Sequence, residues 1–467
     1  MKKLLSFNAF KMAIALSAVI PLGLNAQSDN SGKKSFKQTV NEFYGKPSNW
    51  RPYDQGGINV FETSKVDSIP FEGPRIRFGA GFTQQYQSLK HENKGAVDYA
   101  TANKLYPLTA GFMTAQANLF TDIQLGEGIR LNVTTYLSSR HHNEAWVKGG
   151  YIQFDKLPFK GKFWDNLMNI ATIKVGHMEI NYGDAHFRRS DGGQTLYNPF
   201  MENNIMDAFA TEIGGEVYLQ KNGFFGMLGM TNGMIKGNVD STYVTKNSSG
   251  EIIDNNTKKA PSIYLKGGID KSVGDALRIR VSGSYYHNSS AAGSGLTLYG
   301  GDRTGSNYQN VMEKVAYGTP NPSSTSVAFS GRFNPGFSKK VDAFMFNGFL
   351  KVNGLELFGT YETASGRTKN ETVNRRVNQL AGDVVYRFGK NDNLFLGGRY
   401  NTVKAELNGF ANKVTVNRLA GAAGWFVTRN VLLKGELVQQ KYKDFPTTDY
   451  RAGGKFSGVV IEAVVGF

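Results

Sequence analysis

The chain has 467 residues, with 54 lysines and arginines against 38 acidic residues, 55 glycines, 22 tyrosines, 32 phenylalanines and no cysteine. The missing thiol excludes disulfides, cysteine-ligated zinc and iron–sulfur centres, and a lipid anchor on an N-terminal cysteine. A formal net charge of +16 narrows the partners to anionic solutes, acidic lipid or nucleic acid.

Residues 1–26 read as a signal peptide. Lys2, Lys3 and Lys11 supply early positive charge, Met12 to Leu24 is the apolar run, and Ala26 is the small residue that cleavage needs. The run is too short to span a membrane and polar sequence follows at once. The mature chain is predicted to begin at Gln27, and an exported chain has no nucleic-acid partner. Residues 27–73 form a separate N-terminal segment. Its start, "SDNSGKKS", is polar, whereas "NWRPYDQGGINVFET" (49–63) is rich in aromatics and glycine. That stretch suits either a short plug or a periplasmic strap.

From residue 74 to 467 the dominant signal is period two. "RIRFGAGFTQQY" places Ile76, Phe78, Ala80 and Phe82 on one face and Arg75, Arg77 and Thr83 on the other. "IRLNVTTYLSSR", "TEIGGEVYLQ" and "ALRIRVSGSYY" repeat the pattern. No later stretch holds 18 consecutive apolar residues, so no membrane helix is expected. A membrane barrel, however, needs only one apolar face per strand. Predicted strands lie at 75–87, 109–123, 129–140, 146–155, 171–182, 207–220, 224–235, 260–270, 276–286, 341–352, 355–365, 374–388, 393–403, 414–427, 431–443 and 456–467.

Tight connections such as Lys221-Asn222-Gly223, Asn353-Gly354 and Thr428-Arg429-Asn430 alternate with long polar ones, among them 88–108, 182–206, 236–259 and 287–340. The link 156–170 breaks the rule and is read as holding a short helix. Short turns on the periplasmic side and long loops outside are the habit of transmembrane barrels. The predicted fold is therefore an all-β transmembrane antiparallel barrel of about 16 strands, with both termini in the periplasm. By parity, 326–333 belongs to a long external loop rather than to a further strand. Phe224, Phe225, Phe388, Trp425, Phe426 and Phe467 gather at the short-turn ends and suggest an aromatic girdle. The last residues, "VVIEAVVGF", alternate to the end. They are read as the strand that closes the sheet, with Glu462 facing the lumen. A final strand ending in Phe also resembles the assembly signal of Gram-negative outer-membrane proteins.

The polar register carries Arg75, Arg77, Arg130, Arg140, Lys266, Arg278, Arg280, Arg375, Arg399, Arg418 and Lys434 against Glu212, Glu216, Asp383, Glu436 and Glu462. A positive bore favours anions; the alternative is that these bases pair with the acids. The loop after Tyr182-Gly183 contains Asp184, His186, Arg188, Arg189 and Asp191 and is expected to fold into the barrel. Arg188 and Arg189 on that loop, with Arg130, Arg278 and Arg280 on the wall, are the candidate pore-constriction or anion-binding residues, since guanidinium forks match phosphate and carboxylate. The same loop could instead pin itself to the wall through Arg–Asp pairs. The six histidines, His91, His141, His142, His177, His186 and His287, form no Ser–His or His-Glu-x-x-His arrangement, and no Gly-x-Ser-x-Gly elbow occurs. No catalytic residue, cofactor or metal site is expected.

"KVGHMEINYGD" followed by "FMENNIMDAFATEIGGEVY" resembles the phosphate-selective porins of the O/P type, through Gly176, Tyr182-Gly183, Phe200-Met201-Glu202 and Ala208-Phe209. The resemblance covers about 45 residues of a barrel-length chain. It implies a 16-stranded outer-membrane porin, a homotrimer, with basic residues guiding anions. A ladder of regularly spaced arginines is missing from this chain. The expectation is passive diffusion of small hydrophilic solutes with a preference for small anions, phosphate among them, in contact with outer-membrane lipid and lipopolysaccharide. The alternative is a non-conducting barrel serving as a subunit of an export or uptake complex.

Overall fold

A computed structural model describes residues 49–467 except 66–69, 95–103, 138–144, 191–193, 234–243, 247–248, 251, 255–260, 275, 290–297, 303, 316–328 and 369. The predicted signal peptide, residues 27–48, Arg140, His141, His142 and Asp191 lie outside this set.

Sixteen long strands form one closed antiparallel sheet. They are β1 (Arg75–Glu92), β2 (Gln116–Gly126), β3 (Ile129–Tyr136), β4 (Trp146–Phe154), β5 (Ala171–Glu179), β6 (Thr211–Lys221), β7 (Phe224–Thr231), β8 (Ser262–Val273), β9 (Leu277–Asn288), β10 (Lys340–Val352), β11 (Leu355–Arg367), β12 (Arg375–Phe388), β13 (Leu394–Ala405), β14 (Val414–Thr428), β15 (Val431–Lys443) and β16 (Lys455–Gly466). Gly111–Phe112 is a short upper extension of β2, pairing with Tyr86 and Gln87. Each strand pairs with its neighbour in the chain, and β1 pairs with both β2 and β16. The closing register sets Phe82 opposite Val465 and Gln85 opposite Glu462. Closure leaves no free edge, which is what a sheet in lipid requires.

The alternation does what period two predicts, with the polarity of a membrane protein. Along β12, Val377, Gln379, Ala381, Asp383, Val385 and Arg387 are buried within the barrel. Leu380, Val384 and Tyr386 stand outside at 52%, 54% and 55% exposure. Apolar side chains that a soluble protein would bury are thus on the outer surface all round, among them Phe346, Leu396, Leu419, Leu437 and Ile461. Phe224, Phe388, Trp425 and Phe467 are exposed at the short-turn end, whereas Phe225 and Phe426 are buried inside. Adjacent residues of a strand point to opposite faces, so neither pair could contribute both rings to one girdle.

Turn chemistry follows the sequence. Asn222 and Gly223 both have positive φ (55° and 81°), the requirement of a two-residue hairpin whose twist matches its strands. A Cβ on Gly223 would also meet the Asp270 carbonyl oxygen at 2.8 Å. The 156–170 link contains the short helix α1 (Lys162–Met168). The predicted 171–182 strand stops at Glu179, because Asn181 turns inward: its amide N–H donates to Glu216 Oε1 at 2.9 Å. Of 326–333, residues 326–328 lie outside the described set; 329–331 are a turn and 332–333 are not in a strand, in line with the parity argument.

Candidate functional site

Three segments enter the bore. The first is 49–65, near the short-turn end. Tyr53 stacks on Phe120 of β2 (4.3 Å between centroids) and donates to Asp122 at 2.8 Å. Asn59 donates to Glu356 of β11 at 2.7 Å, and its carbonyl accepts from Arg278 of β9 at 2.9 Å. The Asn49 carbonyl accepts from Arg130 of β3 at 2.7 Å, and Lys65 donates to the Asp155 and Ala171 carbonyls. One short segment therefore ties to β2, β3, β9 and β11.

The second segment is the described part of the β5–β6 connection, 180–210, and the third is the described part of the β9–β10 connection, 298–337. Lys434 of β15 donates to the carbonyls of Thr195, Asn198 and Phe200 at 2.9–3.1 Å while pairing with Glu462 at 2.9 Å. Arg418 of β14 donates to the Asn203 and Gly331 carbonyls, binding both connections at once. Glu202 joins them again. It accepts from the Asn203 and Asn307 amides (2.7 and 2.6 Å), from Ser306 Oγ (2.8 Å) and from Arg332 (2.9 Å). Burial works against its ionisation, but Arg332, Arg418 and the two amides hold its carboxyl below the usual range. Two of these four partners, Ser306 and Asn307, belong to the "LTLYGGDRTGSNY" stretch (296–308) of the β9–β10 connection.

Asp184 is a second hub. Arg280 forks onto it with two bonds of 2.8 Å, Ser282 donates at 2.7 Å, and Lys266 lies at 2.7 Å. Burial opposes its charge, yet Lys266 and Arg280 keep its carboxyl well below the ordinary value. Glu62 of the first segment joins the same cluster, 2.8 Å from Arg280 and 3.1 Å from Lys266. Burial and then Lys266 push His186 well below its usual range, so it is neutral at pH 7.

An off-centre cavity of about 320 Å³ is left open in the bore. Its outer wall is the inner face of β2–β6, including Asn118, Asp122, Arg130, Asn132, Lys148, Tyr151, Lys174 and Glu216. Its inner wall comes from Trp50, Arg51, Tyr53, His186, Arg189, Gln194 and Tyr197. A second cavity of about 620 Å³ lies at the short-turn end, lined by Lys65, Asp155, Phe159 and Trp164 among others, and the two share Asn49 and Arg130. Arg130, paired with Asp155 at 2.8 Å, therefore lines both cavities.

The structure separates the five sequence-chosen arginines. Arg130 and Arg189 line the 320 Å³ cavity. Arg188, Arg278 and Arg280 do not; they lie in the packed bore, against Asn59 and Asp383, Asp270, and Asp184 with Glu62. Arg189 is itself forked onto Asp207. The Arg–Asp pinning reading describes this loop's contacts. The lining residues that sequence reasoning did not select are Arg51, Arg77, Lys148 and Lys174. Lys174 was within reach: the alternation Ala171, Ile173, Val175 places it on the inner register. Arg51 was not, because its segment follows no strand period.

The fold and bore together define a transmembrane antiparallel β-barrel with a polar, partly filled interior. No protein-family model matches the chain, and no curated relative matches it. Among solved structures it is similar to an anion-selective porin from Comamonas acidovorans (12% identity, 84% of this chain, 100% of that chain, TM-score 0.49). It is also similar to the trimer form of OmpT from Vibrio cholerae (10%, 85%, 100%, 0.47) and to the outer-membrane channel DcaP of Acinetobacter baumannii (12%, 85%, 98%, 0.45).

Proposed function

We propose that this protein is an outer-membrane porin passing small hydrophilic solutes along the β2–β6 wall, with a preference for small anions. The observation that carries this reading is a polar cavity, wide enough for water, inside a closed barrel whose outer face is apolar. The lining holds six basic residues (Arg51, Arg77, Arg130, Lys148, Lys174, Arg189) and four carboxylates (Glu62, Asp122, Glu179, Glu216). A basic excess in a narrow, low-dielectric-walled pore favours anions. Phosphate is one anion to be tested. Segment 49–65 acts as a plug that restricts the bore rather than as a strap across its outside.

The reading includes a homotrimer, the assembly that the sequence resemblance implies.

Planar-bilayer recording tests the reading. Open steps whose reversal potential in a KCl gradient lies toward chloride support it; insertion without conductance overturns it. One observation favours a second reading. The plug and two connections occupy most of the bore, as they would in a non-conducting barrel subunit of an export or uptake complex.

A further inference from the structure

Among the cations that line the passage, Lys174 is the one whose expected partner has been taken away. In the β5–β6 register it stands directly opposite Glu216, a placement in which opposite charges ordinarily pair. Glu216 is committed elsewhere: it accepts from the Asn181 amide (2.9 Å), from Tyr264 (3.0 Å) and from Tyr218. Lys174 has no ion pair or hydrogen bond among the described residues. Its ammonium rests instead over the ring faces of Tyr151 and Tyr218, 5.0 and 4.9 Å from their centroids. The other basic lining residues have oxygen partners. Arg77 pairs with Asp122, Arg130 with Asp155, Lys148 with Asp302 and Arg189 with Asp207, and Arg51 donates to the Gly57 and Phe187 carbonyls.

Position adds to this. Lys174 pairs across the sheet with Gln153, and Gln153 with Arg130. It therefore lies in the same cross-strand row as Arg130, which lines both cavities.

We propose that Lys174, with the Tyr151 and Tyr218 rings, is a binding site for small monovalent carboxylates, and that it sets the charge selectivity of the passage. The proposal rests on the channel reading for its role in transport, but not for the binding itself. The ligand class follows from what the site offers. It has one ammonium, the Tyr151 hydroxyl, which makes no hydrogen bond among the described residues, and two aromatic faces. A single carboxylate is matched by one cation and one phenol donor, and its apolar body by the rings. Inorganic phosphate has more charge and more acceptor oxygens than these two donors can satisfy, and the Glu216 carboxylate beside the site disfavours a dianion further.

The test uses the full mature chain in detergent, with folding checked by heat-modifiable electrophoresis. Benzoate and inorganic phosphate are titrated calorimetrically into wild type, Lys174→Met and Lys174→Arg. Wild type is expected to bind benzoate saturably and more tightly than phosphate, Lys174→Met to lose that binding, and Lys174→Arg to keep it. In planar bilayers Lys174→Met is expected to lower the anion-to-cation permeability ratio about fivefold, the effect of one unit charge at close range in a largely aqueous pore. No saturable benzoate binding to wild type, equal binding by Lys174→Met, or tighter binding of phosphate overturns the site. Lysine-dependent benzoate binding by a barrel that never conducts keeps the site and overturns the channel reading. Conduction without benzoate binding does the reverse.

Discussion

Two sectors of one barrel wall use the same residue types for opposite purposes. On β8–β15, inward-facing bases are bolts. Arg280 forks onto Asp184 and Arg418 onto two loop carbonyls, and both are 1% exposed. On β2–β6, part of the inward face looks onto open space. Arg77, Arg130 and Lys148 are paired there too, but Lys174 lies over tyrosine rings with no acceptor among the described residues. The lesson is that inward-facing charge in a barrel does not by itself mark a pore. Where a loop packs against the wall, a guanidinium is consumed by that loop's carbonyls and carboxylates. Only where nothing packs does it remain available to a solute.

The sharpest way to break this comparison is to remove a bolt. Asp184→Ala leaves Arg280, Lys266 and Ser282 buried without their shared acceptor. Stripping one partner from a buried charge cluster costs about 3–5 kcal/mol, so thermal unfolding in detergent is expected at clearly lower temperature. An unchanged midpoint would mean that these pairs do not hold the loop.

Next in size is the plug. Trp50→Ala with Tyr53→Ala removes the stacking on Phe120, the bond to Asp122 and the cation–π contacts of Arg77 with both rings. Single-channel conductance is expected to rise several-fold, because solute-accessible width near β2 grows. Conductance equal to wild type would show that segment 49–65 does not limit the route.

Acidity separates the bolts from one neighbouring loop group. The carboxyls of Asp184, Glu202 and Glu62 sit below their ordinary values. Their contribution is therefore complete above the unfolded-state pKa and is lost only as pH falls through the lower folded value. Thermal stability at pH 5 should differ little from that at pH 7 on their account. Glu313 behaves oppositely: burial pushes its carboxyl up to about 7. Its protonated form is favoured in the fold, so stability drops as pH rises from the ordinary carboxylate range toward 7. Glu313→Gln is expected to raise the unfolding temperature at pH 8 and leave it unchanged at pH 4. Equal effects at both pH values would remove Glu313 as the cause.

The smallest effect is expected at the half-exposed pair Arg278–Asp270, with side chains 29% and 20% exposed. Screening by water leaves such a pair worth about 1 kcal/mol or less. Arg278→Ala should shift the unfolding temperature slightly and leave the permeability ratio unchanged. A large change in selectivity would bring Arg278 back into the conduction route and blur the line between the sectors.

Much of the architecture was legible without coordinates. Apolar alternation along "RIRFGAGF", "VVIEAVVGF" and their like can be satisfied only by strands with one face in an apolar medium and one in a polar one. Asn222-Gly223 and Asn353-Gly354 mark turns because few residues accept positive φ. Those signals are local, each contained in ten or so neighbouring residues. The infolding of the described part of "GDAHFRRSDGGQTLYNPFMENN" was also foreseen, from its place as the third long external connection.

Partner choice was not legible, because it is decided between residues far apart in the chain. Nothing near Glu202 announces that it will gather Arg332 and the Asn307 amide, or near Glu216 that it will turn to Tyr264 and leave Lys174 alone. Arg51 becomes part of a wall only because segment 49–65 enters the bore, and that segment carries no period to read. The sequence by itself determined the closed barrel, since the two-residue repeat of a strand dictates which side chains meet lipid. Tertiary structure alone decided which inward charges are spent on holding loops and which face open space, since a charge is free only if no other part of the folded chain reaches it.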